Sequence, residues 1–277
     1  MKNYWQIARG LNRDMRLYLL ADGISGFTVD GGIYAVLLNL YLLRLGYREP
    51  FIGAVNGLGL LAYGLFSFAA GWLGSRFSTR KLIGTGLGLM ALGCALLPCV
   101  EFVIPERRGV WLIATFVLTN LGLALHVTNA TPFLTEISLI KERPYFYAMA
   151  ATSWSLSGFA GNLIGGALPV LLAGLLSVSL TEAVPYRYAL WLTPLLLLPA
   201  AIWMFTMRNV TVKPRTGTFQ QLKLATDGKA KIGMLALVRF LFVIGTGTVL
   251  IFLNLYLDKE LEVGAASIGL LLGTGRL

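Results

Sequence analysis

Two aspartates, one histidine and one arginine stand inside stretches that are otherwise apolar, and these side chains could do chemistry. Asp22 and Asp30 fall between Arg16 and Arg44, His126 lies in the run 110–135, and Arg239 stands early in the run 231–257. An ionisable group in such surroundings is expensive unless it pairs or works. Carboxyls taken from water and an imidazole that exchanges a proton near neutral pH together offer reversible proton uptake. Asp30 is either the main proton-responsive group or a structural aspartate bonded to a neighbour such as Tyr34. Asp22 is a gate or a local anchor. His126, the single histidine, is a proton or substrate group or a neutral donor that ties two helices together. It belongs to a stripe, Thr115, Thr119, Gly122, His126 and Asn129, at alternating steps of four and three. Such a polar stripe faces a water-filled cavity or the bundle interior. Asp30, Thr119, His126 and Asn129 are therefore cavity candidates, and Asp30, Asp22 and His126 are candidates for proton coupling.

The elements that must hold these groups are membrane helices. With 56% hydrophobic and 13% charged residues, the chain has too few polar side chains to cover a soluble domain. Backbone groups in lipid must be satisfied internally, so the spans are helices. Runs long enough to cross a bilayer fall at 17–43, 51–74, 82–104, 110–135, 145–174, 187–207 and 231–257, with an incomplete eighth from Ala265. Read as one continuous helix, the first run puts Asp30 near mid-membrane and Asp22 about 12 Å nearer one face, the two about 80° apart. Asn39 then points away from Asp30, and its role is packing.

Internal repetition divides the chain. Leu38-Asn39-Leu40-Tyr41-Leu42 returns as Leu253-Asn254-Leu255-Tyr256-Leu257, and Ile52-Gly53 returns as Ile268-Gly269 in nearly the same register. A parallel repeat of membrane helices marks a transporter architecture. The reading is all-α and polytopic: a six-helix bundle over 1–207, a basic cytoplasmic linker over 208–230, and an incomplete second bundle over 231–277. Superposing the repeats sets Arg239 opposite Ile24, within about 3 Å of Asp22 in depth. Asp22 and Arg239 are thus expected to form an inner gate between bundles, the alternative being that Arg239 snorkels or pairs with a helix beyond this sequence.

Charge orients the chain. With the N-terminus in the cytoplasm, the inner segments carry fifteen basic residues, among them Arg13, Arg16, Arg76, Arg80, Lys81 and Arg143. The outer segments carry six: Arg44, Arg48, Arg107, Arg108, Arg187 and Lys259. That asymmetry satisfies the positive-inside rule, so the net charge of +10 is chiefly an orientation signal and not a mark of nucleic-acid binding. Cys94 and Cys99, five apart on one expected helix, read as separate thiols. No cluster of ligating side chains suggests a metal or another cofactor.

The loop Gly71-Trp72-Leu73-Gly74-Ser75-Arg76-Phe77-Ser78-Thr79-Arg80-Lys81 resembles the loop between helices two and three of the major facilitator superfamily. Gly71, Arg76, Arg80 and Lys81 match its pattern, while Ser75 stands where the family usually has aspartate and Ser78 where it has glycine. Gly158, Gly161, Asn162, Gly165 and Gly166 resemble the glycine-rich element of helix five found in many antiporters, with Asn162 in the place of proline. Ser153, Ser157, Gly161 and Gly165 recur every four residues, a face that admits close packing. The fourth helix has Leu118 near the position where many proton-coupled members carry arginine.

The resemblance implies twelve helices in a complete protein, so this chain reads as a fragment, monomeric when full length. It implies a secondary carrier of the inner (plasma) membrane, with the lipid bilayer, a small solute and protons as its partners. Two bundles would alternate around a midplane site, with efflux ahead of proton-linked uptake. A non-transporting scaffold or receptor of the same fold is the other reading. An integral membrane enzyme would need a convergent nucleophile, base or metal set, which one histidine without a cluster does not supply.

Overall fold

The computed structural model describes residues 11–207 and 252–275, together with Met234 and Val238. Among the described residues, the α-helical segments α1 to α9 follow in chain order. The first expected span is two helices, α1 (Arg13–Thr28) and α2 (Ile33–Arg44). Then come α3 (Glu49–Arg76), α4 (Thr79–Leu96) with a 3-10 turn (Leu97–Phe102), α5 (Pro105–Ile137), α6 (Arg143–Leu176) and α7 (Val184–Thr206). Residues 252–259 are helical (α8), and α9 covers Ala265–Thr274. Six spans from Arg13 to Thr206 are long and apolar enough to cross a membrane, one for each of the first six expected.

Local chemistry sets these boundaries. The Asn12 side chain caps α1 by accepting from the Met15 amide at 2.8 Å. Helices α3, α5, α6 and α7 each start with proline in the first turn, where its missing N–H is no loss. Ser177, left-handed at φ 53°, ends α6. Pro132, Pro169, Pro194 and Pro199 sit within helices that continue through them, while Pro98 opens the 3-10 turn that replaces the α-helix expected to reach residue 104.

The largest departure from expectation is the break in the first span. Gly31 adopts φ 90°, a conformation favoured by glycine. A side chain on Gly32 would collide with the Phe27 carbonyl. Val29 and Asp30 both donate their amides to Ser25 O, at 3.0 Å each, which closes α1. The expectation of one continuous helix, with Asp22 and Asp30 sharing a face, is thus corrected: the Asp30-Gly31-Gly32 corner resets the rotation between α1 and α2.

The fifth span accommodates this corner. A Cβ on Gly161 would run into the Phe27 carbonyl, and one on Gly165 would lie 2.9 Å from Ile33 Cα. Ser153 and Ser157 meet Gly23 further down the same face. On another face of α6, Gly166 approaches Gly269 of α9, with 3.0 Å between the Cβ it lacks and Gly269 Cα. The glycine-rich element therefore packs α6 against both the first span and the start of the second half. Gly158 is buried on the same helix. Outward-facing α3 residues are apolar, as at Leu65, Phe68 and Trp72, which suits a lipid-facing helix.

Candidate functional site

The corner opens onto a cavity of about 420 Å³. Asp30, Tyr34, Asn39 and Asn56 line it from the first two spans, Phe116, Thr119 and Asn120 from α5, and Asn162 from α6. Leu253 of α8 and Leu271, Leu272 and Gly275 at α9 complete the wall, so both halves of the repeat contribute. The chemistry is mixed: one carboxylate and several carboxamides against leucines and the near-parallel Tyr34 and Phe116 rings, 6.3 Å apart. Organic-ligand sites commonly have this composition, an apolar wall with few polar groups. Asp30 lies near enough to Tyr63 for the phenol to feel its charge. The Tyr34 hydroxyl, the partner expected for Asp30, lies instead beside Cys94 and Thr119. Asn39 shares this lining with Asp30, contrary to the opposite-face reading, because the break resets the helical phase between them.

Asp22 and His126 meet elsewhere. The Tyr18 hydroxyl donates to Asp22 Oδ1 at 3.3 Å. His126 Nε2 stands 3.3 Å from the same oxygen, within ion-pair range but off the line of a good hydrogen bond. Ser25 Oγ lies 3.2 Å from His126 Nδ1. All four side chains are buried, with His126 only 3% exposed. Neither Asp22 nor His126 is among the described residues lining the cavity.

The polar stripe of α5 faces α4 for most of its length. A Cβ on Gly86 would lie 2.6 Å from the Gly122 carbonyl and 2.9 Å from the His126 amide, and Gly93 sits against Thr115 and Thr119. Thr115 and Thr119 return their hydroxyls to carbonyls one turn back, at 2.8 and 3.0 Å. Asn129 gives its amide to Leu125 O at 2.9 Å and Ala70 O at 3.3 Å, and its side chain crowds Gly74. Of the stripe, Thr119 reaches the cavity; Asn129 ties α5 to α3 and is not among the described lining residues. Small residues let these backbones approach, and the polar groups spend their bonding capacity locally.

A third polar group joins the two arms of the repeat, between α2 and α8. Asn39 Nδ2 donates to Asn254 Oδ1 at 3.3 Å, while Asn254 Nδ2 donates to Val36 O at 3.3 Å. Asn56 Nδ2 donates to Asn39 Oδ1 at 2.8 Å. The repeat-related asparagines thus bond to each other. One turn further on, Arg44 grips Asp258 with two parallel bonds of 2.9 and 2.7 Å, and Lys259 pairs with Glu49. The inner gate expected between Asp22 and Arg239 cannot be placed, because Arg239 lies outside the described residues.

The residues of the loop between α3 and α4 have local roles. Arg76 lies over the Trp72 ring at 4.2 Å, Gly71 faces Thr128, and Lys81 follows in α4. Arg80 is buried beside Thr79, whose hydroxyl donates to Glu136 at 2.7 Å. In the 3-10 turn Glu101 pairs with Arg187 at 2.6 Å and accepts from Tyr41 at 2.9 Å. Cys94 and Cys99 are free thiols.

An all-α membrane protein with a parallel repeat and a cavity between its halves defines the class. The family model of the Major Facilitator Superfamily matches residues 23–277. The chain belongs to that superfamily. It is 26% identical over 153 residues to "Multidrug resistance protein MdtH" of Proteus mirabilis (strain HI4320). That match covers 54% of this chain and 36% of the relative, well under two thirds of its length.

Sequence reasoning missed Ser25, Tyr18, Asn56 and Asn120. The Gly31-Gly32 pair was the available signal for the break, and with it for the different directions taken by Asp22 and Asp30.

Proposed function

We propose that this chain belongs to a secondary carrier that moves a small organic solute across the inner (plasma) membrane by alternating access, coupled to protons, in the efflux direction. Its halves are 1–207 and the bundle begun at 231–277, joined by the cytoplasmic linker 208–230, with the N-terminus inside and a monomer as the working unit. The observation that carries this reading is the cavity walled by both halves, with Asp30 at a helix corner in its lining. Discontinuous helices are how membrane carriers present backbone and side-chain groups to a substrate near mid-membrane. The relative named for multidrug resistance supports a small solute and the efflux direction.

Binding energy differing between two states drives such a cycle. In this structure the outer contacts at Asn39, Arg44 and Glu49 hold the halves together, as the state closed to the outside requires. Inverted vesicles bearing the full-length protein, energised with an acid interior, should accumulate ethidium, and Asp30→Asn should abolish accumulation while the protein remains folded. Accumulation under the opposite gradient assigns uptake instead. Wild-type accumulation by the Asp30→Asn protein removes Asp30 from the solute site.

A further inference from the structure

Resting on the proton-coupled reading above, we infer that the transported proton is held by the Asp22–His126 pair, at a site separate from the solute cavity, and that Ser25 is the positioning residue that lets His126 carry it. The bonding pattern limits the proton's place. With Asp22 ionised, the Tyr18 hydroxyl donates to its Oδ1 at 3.3 Å, and His126 Nε2, 3.3 Å from the same oxygen but off the line of a good hydrogen bond, favours by charge the tautomer that carries its hydrogen on Nε2 and not a lone pair facing the carboxylate. Nδ1 is then a lone pair, and the Ser25 hydroxyl 3.2 Å away donates to it. A proton arriving from water binds at Nδ1. The bond to Ser25 reverses: Nδ1–H donates to Oγ, and the hydroxyl turns its own hydrogen back toward the preceding turn of α1, as helical serines do. The pair passes from a net charge of −1 to zero, so a buried site gains neutrality with the proton and needs no other reactant. A hydroxyl can serve both states because it both donates and accepts.

The groups around the pair are consistent with a proton site and not a solute site. Phe133 and Phe146 pack on the Tyr18 ring, and Tyr147 of α6 faces Tyr18. Helix α4 meets the His126 backbone with Gly86. Arg16 lies on α1 toward the cytoplasmic end. Because neither Asp22 nor His126 is among the described cavity-lining residues, proton and solute do not compete for one place. Protonation therefore acts on turnover and leaves solute affinity alone.

The test uses full-length protein in nanodiscs with 15N-labelled histidine, the His126 signal being assigned by its loss in His126→Gln. Ser25→Ala should lower the midpoint of the His126 titration by about one pH unit, because the charged ring loses a stronger hydrogen bond than the neutral one. Ser25→Thr should restore it. In vesicles, the pH profile of ethidium transport should move with the midpoint, with kcat down about tenfold at the wild-type optimum and KM changed by less than about twofold. A titration and profile unmoved by Ser25→Ala, a shift that threonine fails to restore, or KM and kcat changing together would each overturn the inference. Absence of gradient-driven flux in the wild type counts against the transport reading. The titration needs no flux, so it still decides whether Ser25 governs His126.

Discussion

The seam at Asn39, Arg44 and Glu49 and the cluster at Asp22 and His126 are both polar contacts made by the first two spans, yet they differ in what they join. Asn39, Arg44 and Glu49 bond across to Asn254, Asp258 and Lys259 in the second half of the repeat. Tyr18, Asp22, Ser25 and His126 bond among α1 and α5 of one half. In the alternating-access cycle proposed above, a contact between halves must break each time the halves rock apart, so its strength would set the balance between states. In the same proposal, a contact inside one half survives the motion and would hold a proton throughout it. On that proposal, position in the repeat, more than charge, separates the gate role from the proton-holding role.

The comparison breaks most directly if the seam never opens. Cysteines at Arg44 and Asp258, in a protein with Cys94→Ser and Cys99→Ser, should abolish transport once joined by a short bifunctional thiol reagent. Undiminished flux in the cross-linked protein would show that the halves do not part there. Gly86→Val attacks the rigidity of one half, because the new Cβ would lie 2.6 Å from the Gly122 carbonyl, backbone that cannot step aside. Overpacking of this kind costs about 1–3 kcal/mol. The expected readout is a lower thermal midpoint, and an unchanged one would mean that α4 and α5 are less closely packed than described.

Asn254→Leu sharpens the seam's share of the balance. Asn254 is fully buried and donates to the first span, so its loss should weaken the outer-closed state by about 1–3 kcal/mol. Labelling of a cysteine placed at Leu38, buried in the cavity lining, by a reagent added to the outer side in the proposed orientation should then accelerate about tenfold. The smallest effect is expected at the exposed rim. Lys259 gains a hydrogen-bonding partner in Glu49, which raises its pKa above the ordinary lysine value. Above the range in which Glu49 titrates, the stabilising contribution is full up to that ordinary value and is lost as pH rises through the raised one. Because both side chains are solvent-accessible and screened, Glu49→Gln should leave transport unchanged across neutral pH.

Much of this molecule was legible before any coordinates. Apolar runs between basic clusters located the first six spans, because helix length and bilayer thickness are fixed quantities. The four-residue spacing of Ser153, Ser157, Gly161 and Gly165 marked the close-packed face of α6, because a missing side chain is itself the packing feature. The pairing of Asn39 with Asn254 was half visible: the repeat named both residues, while an assumed straight helix turned Asn39 away from the cavity.

The sequence by itself determined the fold class, the spans, the repeat and the short set of side chains costly enough in a membrane to matter. Only the tertiary structure decided their partners. A glycine corner redirected Asp30 into a cavity and left Asp22 beside His126. Contacts such as Arg44 with Asp258 depend on the distance between two helices, which sequence spacing within either helix does not contain. Periodicity reports which side of a helix a residue occupies; what stands opposite is set by how helices far apart in the chain pack.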